Sequence, residues 1–229
     1  VGNFSLDANT TADNNTAIGY AALTGNTTGG ANTAVGTSTL FENTTGANNV
    51  AVGAFALDRN TTANSNTAIG TVALTQNLTG ANNTALGSGS LSANTTASNN
   101  TAIGYEAMDQ NTTGTQNVAV GANALDANTT ASNNTAIGHN ALTANTTGTR
   151  VVAVGMNALA SNTTANDNVA IGNNVLDANT TGARNIGVGY NVLGANTTAN
   201  DNTGLGHKAL EANTTGTNNT AVGANALDA

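Results

Sequence analysis

Few residues in this sequence could do acid–base, nucleophilic or metal chemistry. Its 229 residues hold two histidines, twelve carboxylates, four basic side chains and no cysteine. His139 and His207 both follow a glycine, at a place that also takes Tyr20, Tyr105, Tyr190, Met156 and Ala54. A seat so permissive reads as an exposed turn. Histidines far apart in the chain assemble neither a Ser–His–Asp triad nor a zinc site, whose ligands must converge on one point. The acids gather one residue after a leucine (Asp7, Asp58, Asp126, Asp177, Asp228) and in a second turn (Asp13, Asp167, Asp201), but irregularly. Calcium takes roughly six to eight converging oxygens, and no D-x-D-x-D spacing gathers them. The expectation is a protein without enzymatic activity, metal or cofactor.

What the sequence does repeat is amide and hydroxyl chemistry. One file of asparagines opens each N-T-T (Asn9, Asn26, Asn43, Asn60 and onward), and another lies four residues before a recurrent glycine (Asn15, Asn32, Asn49, Asn66). Stacked asparagines can bond donor to acceptor from one repeat to the next. The other chemistry open to them is glycosylation. Each N-T-T is formally an acceptor sequon, with Asn26, Asn43, Asn60 and Asn94 as candidates. Sugars on every repeat would stand only about 4.8 Å apart, which crowds them. The Thr pairs suggest an ordered-water or ice-binding face. Adjacent residues on a strand point to opposite sides, so only one Thr of each pair would join it. Leu78 replaces a first Thr, which suggests that position points inward.

The element that must position these groups is set by periodicity. Glycine recurs every 17 residues from Gly2 to Gly223 without insertion or deletion, in the unit N-T-A-[IV]-G-x-x-A-L-x-x-N-T-T-[AG]-x-x. Gly, Asn and Thr are poor helix formers. Each unit carries two short apolar signals, a tetrad ending in glycine and a Leu four residues later, which read as extended segments joined by turns. Such a unit cannot bury its own apolar face, whereas copies stacked about 4.8 Å apart share a continuous core. The expected fold is all-β: a parallel β-solenoid (β-roll or β-helix) of 17-residue rungs, about 13.5 of them, forming a rod of about 65 Å. Residues 1–229 read as a single repeat domain, a segment of a longer array without caps.

Facing follows from alternation. The residue before each glycine is Ile, Val or Leu and is expected in the core. The residue before that would then point outward, yet it is Ala in nearly every unit (Ala17, Ala34, Ala51, Ala68, Ala85, Ala102), with Gly187 and Gly204 departing. An outward file held to a methyl or less predicts close packing against a second copy of the chain. Rungs entered through T-T-A and T-T-G alternate along most of the chain, giving a double unit of 34 residues.

Composition removes further classes. Only 7% of residues are charged, with a net charge of −8, so no basic patch exists to displace the counterions of a nucleic acid. No apolar run approaches the roughly 20 residues of a membrane span. The segments Asn15–Gly19 and Asn66–Gly70, both N-T-A-I-G, resemble the head repeats of YadA-like trimeric autotransporter adhesins, and the longer unit is similar to repeats of bacterial surface proteins and phage tail fibres. That resemblance implies a left-handed roll, association as trimers, and a place outside the cell, at its surface or on a virion tail fibre. The adhesin unit is shorter, and the N-T-T segment is an addition to it. The expected function is a structural fibre segment that associates with copies of itself. Ice binding and adhesion to carbohydrate or other surfaces are the alternatives.

Overall fold

The computed structural model describes residues 1–228, and their regular structure is all β: thirteen three-residue strands and no helix. The chain falls into two compact units, Val1–Gln116 and the residues from Asn117 onward. The first holds β1 (Thr16–Ile18), β2 (Thr33–Val35), β3 (Val50–Val52), β4 (Thr67–Ile69), β5 (Thr84–Leu86) and β6 (Thr101–Ile103). The second holds β7 (Val118–Val120), β8 (Thr135–Ile137), β9 (Val152–Val154), β10 (Val169–Ile171), β11 (Ile186–Val188), β12 (Thr203–Leu205) and β13 (Thr220–Val222). Within each unit consecutive strands pair in parallel, Thr16 opposite Thr33 in the first and Val152 opposite Val169 in the second. Each unit is thus a parallel β-solenoid with 17-residue rungs.

Each rung contains one strand, where the two apolar signals suggested two. The Leu segment is a turn, because its buried leucine sits in the left-handed region: φ is 54° at Leu23, 52° at Leu57 and 56° at Met108, which takes the leucine's place in its rung. That conformation costs about 1–2 kcal/mol for a non-glycine residue, and burying the side chain returns about 1.5–3 kcal/mol. Burial wins. The turn still bonds rung to rung, Leu23 N–H donating to Thr39 O at 3.0 Å and Ser38 N–H to Tyr20 O at 2.9 Å.

The strands face opposite to the expectation. Ala34, Ala51, Ala68, Ala85 and Ala102 are fully buried within the chain itself and Ala17 nearly so, while Ile18 is 48% exposed and Leu86 42%. The Ala file therefore offers no outward face to a second copy. The size limit on it comes from inside: leucine and two asparagine files fill the narrow rung, leaving room for a methyl at mid-strand.

The two departures from Ala are explained by the side chain across the rung. The third residue after each recurrent glycine is usually Ala, Ser or Thr, but it is Val175 and Val192 in two consecutive rungs. A Cβ built on Gly187 would lie 2.5 Å from Val175 Cγ1, and one on Gly204 would lie 2.5 Å from Val192 Cγ1. Volume moved from the strand to the turn. Gly187→Ala should therefore destabilise by about 1–3 kcal/mol, and adding Val175→Ala should recover most of that loss. Urea melts of the two single variants and the double variant test the pairing, and simple addition of the two costs would refute it.

The glycine of the T-T-G rungs is held by a contact with the following rung. A Cβ built on Gly46, Gly80, Gly148 or Gly182 would come within 2.1–2.5 Å of the carbonyl oxygen of Ala63, Ala97, Ala165 or Ala199, the corresponding residue of the following rung. A Cβ on Gly29 would lie 2.1 Å from Gly46 O, so the contact is the same whether glycine or alanine follows, and it holds these positions to glycine without explaining the alternation.

Candidate functional site

The asparagine files are the most ordered chemistry in the molecule. In the first file the buried side-chain amides donate twice, to the preceding Asn and to a backbone carbonyl of their own rung. Asn60 Nδ2 bonds Asn43 Oδ1 at 2.7 Å and Ala63 O at 3.0 Å, and Asn60 Oδ1 accepts from Asn77 Nδ2 at 3.1 Å. The second file bonds mainly to backbone rather than amide to amide. Asn49 Nδ2 donates to Ala63 O at 2.9 Å, and Asn49 Oδ1 accepts the N–H of Asn66 at 2.9 Å. The two files meet on one carbonyl, Ala63 O here and Gly46 O one rung earlier, where Asn43 and Asn32 donate at 3.0 and 2.8 Å. Asn26, Asn32, Asn43, Asn49, Asn60 and Asn66 are fully buried, while Asn9 and Asn15 in the first rung are half-buried. Among the described residues no buried side-chain nitrogen or oxygen lacks a partner.

This geometry corrects the glycosylation reading. Asn26, Asn43, Asn60 and Asn94 are fully buried, and both hydrogens of each amide are engaged. A sugar on Nδ2 would replace one of those hydrogens and would have no room in the folded rung.

Val151 interrupts the second file and shows what it needs. Its backbone N–H still donates to Asn134 Oδ1 at 3.0 Å, and its side chain is fully buried. A third file runs through the second unit: Asn123, Asn140, Asn157, Asn174 and Asn191, with Asn157 Nδ2 donating to Asn174 Oδ1 at 3.2 Å. All five lie at φ 53–57°, which asparagine tolerates better than most residues. Its signal in the sequence is an Asn two residues after the recurrent glycine.

Both threonines of each N-T-T lie on the outside, in a bend rather than on a strand, so strand alternation does not apply to them. The first is held by its own hydroxyl: Thr27 Oγ1 donates to Thr44 O at 3.0 Å, and Thr44 Oγ1 to Thr61 O at 3.0 Å. The second stands exposed in every rung. Leu78 is 40% exposed, so the inward placement inferred from it is corrected. Its N–H keeps the rung-to-rung bond, to Thr95 O at 2.9 Å, and only the hydroxyl bond is lost.

Ionisable groups stay at the rim. Arg150, Asp167, Arg184 and Asp201 occupy one left-handed corner of four successive rungs, at φ 57–61°. Arg150 Nε meets Asp167 Oδ1 at 2.6 Å and its Nη2 meets Oδ2 at 2.9 Å, and Arg184 grips Asp201 the same way at 2.6 and 2.8 Å. The hydrogen bond from arginine holds each of these carboxyls below the usual aspartate range. Partial burial raises Asp58, with Glu42 adding to the rise, and it raises Asp177 as well. His139 and His207 are exposed, the latter stacked on Tyr190 with ring centroids 5.4 Å apart. Among the described residues no three His, Asp or Glu side chains gather to hold a metal, and no pocket indents the surface.

The remaining surface feature is the outward side of the sheet. In every strand it presents Thr, Val or Ile at the first position and Ile, Val or Leu at the third, none of them buried. No family model, no curated protein and no solved structure matches the chain.

Proposed function

We propose that the chain is a structural segment of an extracellular, cell-surface or virion fibre, a spacer that carries a binding element elsewhere in its polypeptide. The observation that supports this reading is the bonding from rung to rung. Within each unit, backbone bonds, two buried asparagine files and a leucine file tie rung to rung, and the chemistry goes into that continuity. A chain so bonded should open rarely. Thermolysin at 25 °C is expected to leave it intact under conditions that degrade an unfolded control, and rapid internal cleavage would remove the spacer role.

One observation favours ice or ordered-water binding as a second reading. Both threonines of each pair lie outside, so the face is two files wide rather than one, and the first file's hydroxyls are locked to the backbone. Rungs repeat at about 4.8 Å. Second neighbours in a tetrahedral water network lie about 4.5 Å apart, given hydrogen bonds of 2.7–2.8 Å. On this reading, ice grown with the protein facets and shows thermal hysteresis, and Thr62→Lys with Thr96→Lys abolishes both effects. Growth as in buffer alone would end it.

A further inference from the structure

We propose that Lys208 and Asn191 join in an intramolecular isopeptide bond, with Glu211 carrying the proton. The three side chains meet at one carboxylate oxygen. Lys208 Nζ donates to Glu211 Oε1 at 3.0 Å, and Asn191 Nδ2 donates to the same oxygen. Adjacent rungs bring them there. Asn191 and Lys208 each stand two residues after a recurrent glycine, so Lys208 takes the next place in the third asparagine file. A lysine accepts no hydrogen bond, so Asn191 cannot donate along the file as Asn157 donates to Asn174. Its amide turns to the carboxylate instead. Glu211 is the one glutamate, and Gly194 the one glycine, among residues five places after a recurrent glycine. A Cβ on Gly194 would lie 2.8 Å from Asn191 Oδ1 and 3.2 Å from its Cγ. The missing side chain therefore admits the amide beside Glu211.

A surface ion pair accounts for Lys208 and Glu211, but it needs neither Asn191 nor the glycine. The three side chains together supply an amide-forming step. Glu211 takes a proton from the Lys208 ammonium, and the neutral amine attacks Asn191 Cγ. The Nζ–Cγ bond forms and the Cγ–Nδ2 bond breaks. Glu211 returns its proton to Nδ2, which leaves as ammonia and, with the second proton shed by Nζ, ends as ammonium. The carboxylate is regenerated, and no oxidant or co-reactant is consumed. Two donors on one oxygen stand within about 6 Å of each other. The flexible four-carbon stem of lysine can close that gap to the roughly 3–3.5 Å of attack. The product ties two rungs of the second unit covalently, whatever the chain's wider role.

Intact-mass spectrometry of the full chain, held folded at pH 9 and 37 °C, tests this. Wild type should lose about 17 Da, the mass of one ammonia. Lys208 is the chain's only lysine. Trypsin acting on the denatured product should therefore no longer cut after it, leaving residues 185–229 as one peptide. Lys208→Arg and Asn191→Ala, both at half-buried positions, should keep their full mass and an unchanged circular dichroism spectrum. Glu211→Gln should slow the loss by about 100-fold or more. If a variant loses its spectrum, the wild-type digest decides alone. A cyclic imide at another asparagine also sheds ammonia, but it persists in Lys208→Arg and leaves Lys208 open to trypsin. A loss of that kind overturns the proposal, as does a folded wild type that keeps its full mass.

Discussion

Asn60→Asp is expected to be the most damaging single-atom change in the first unit. The substitution puts an acceptor where Nδ2 donates, 2.7 Å from Asn43 Oδ1 and 3.0 Å from Ala63 O, inside a fully buried file. An uncompensated buried charge costs about 3–5 kcal/mol, against a typical total stability of about 5–15 kcal/mol. Asn60→Ala is the comparison. It strands Asn43 Oδ1 and one hydrogen of Asn77 Nδ2, at about 1–3 kcal/mol for each group. The sign of the pH effect separates the variants. Burial raises the introduced carboxyl's folded pKa above its unfolded value, so the Asp variant gains stability as pH falls and loses it as pH rises through the folded pKa. The Ala variant has no such titration. Urea melts at pH 7 and pH 4 on all three proteins measure both effects, and an Asp variant within about 1 kcal/mol of wild type at pH 7 would show that the ladder contributes little.

Gly53→Ala should be nearly as costly, for a backbone reason. Gly53 has φ +129°, and a Cβ there would lie 2.5 Å from the carbonyl oxygen of Gly70 and 2.6 Å from its carbonyl carbon. Both atoms are backbone, so no side chain can swing away. Strain of this kind costs about 1–3 kcal/mol before the clash is counted, and the two together should exceed 3 kcal/mol. Gly89 provides the control. Its φ is +70°, in a left-handed turn position that Phe55 and Val72 occupy in neighbouring rungs, and the nearest atom to its Cβ would be the side-chain Cγ of Glu106 at 3.2 Å. Gly89→Ala should cost about 1 kcal/mol or less. Thermal melts of the two alanine variants test the contrast, and equal melting temperatures would refute the stacking account.

These two sites were legible to different depths. The Asn files could be read because a buried amide repeated at a constant interval has one economical use, donation along the stack. That the second file would bond mostly to backbone could not be read, since it depends on where the Ala63 and Gly46 carbonyls stand. The recurrent glycines were visible as turns, but the contact of each with the next rung's carbonyl was not, because it joins residues 17 apart in the chain.

The sequence by itself determined that the fold is a stack. A 17-residue period without slippage, poor helix formers throughout and one leucine per unit allow little besides parallel rungs with residue files in register. Only the tertiary structure decided which files face inward. Strand alternation says that Ala17 and Ile18 point to opposite sides, and it is symmetric about which side is the core. Hydrophobicity broke that tie wrongly. What broke it in the folded chain is volume: buried leucine and asparagine leave a methyl's width at mid-strand, so Ala goes in and Ile goes out. The Val175–Gly187 and Val192–Gly204 exchanges record the same limit. They mattered only once the turn and the following strand were seen to meet, because packing density acts on neighbours in space, and those neighbours lie in different rungs.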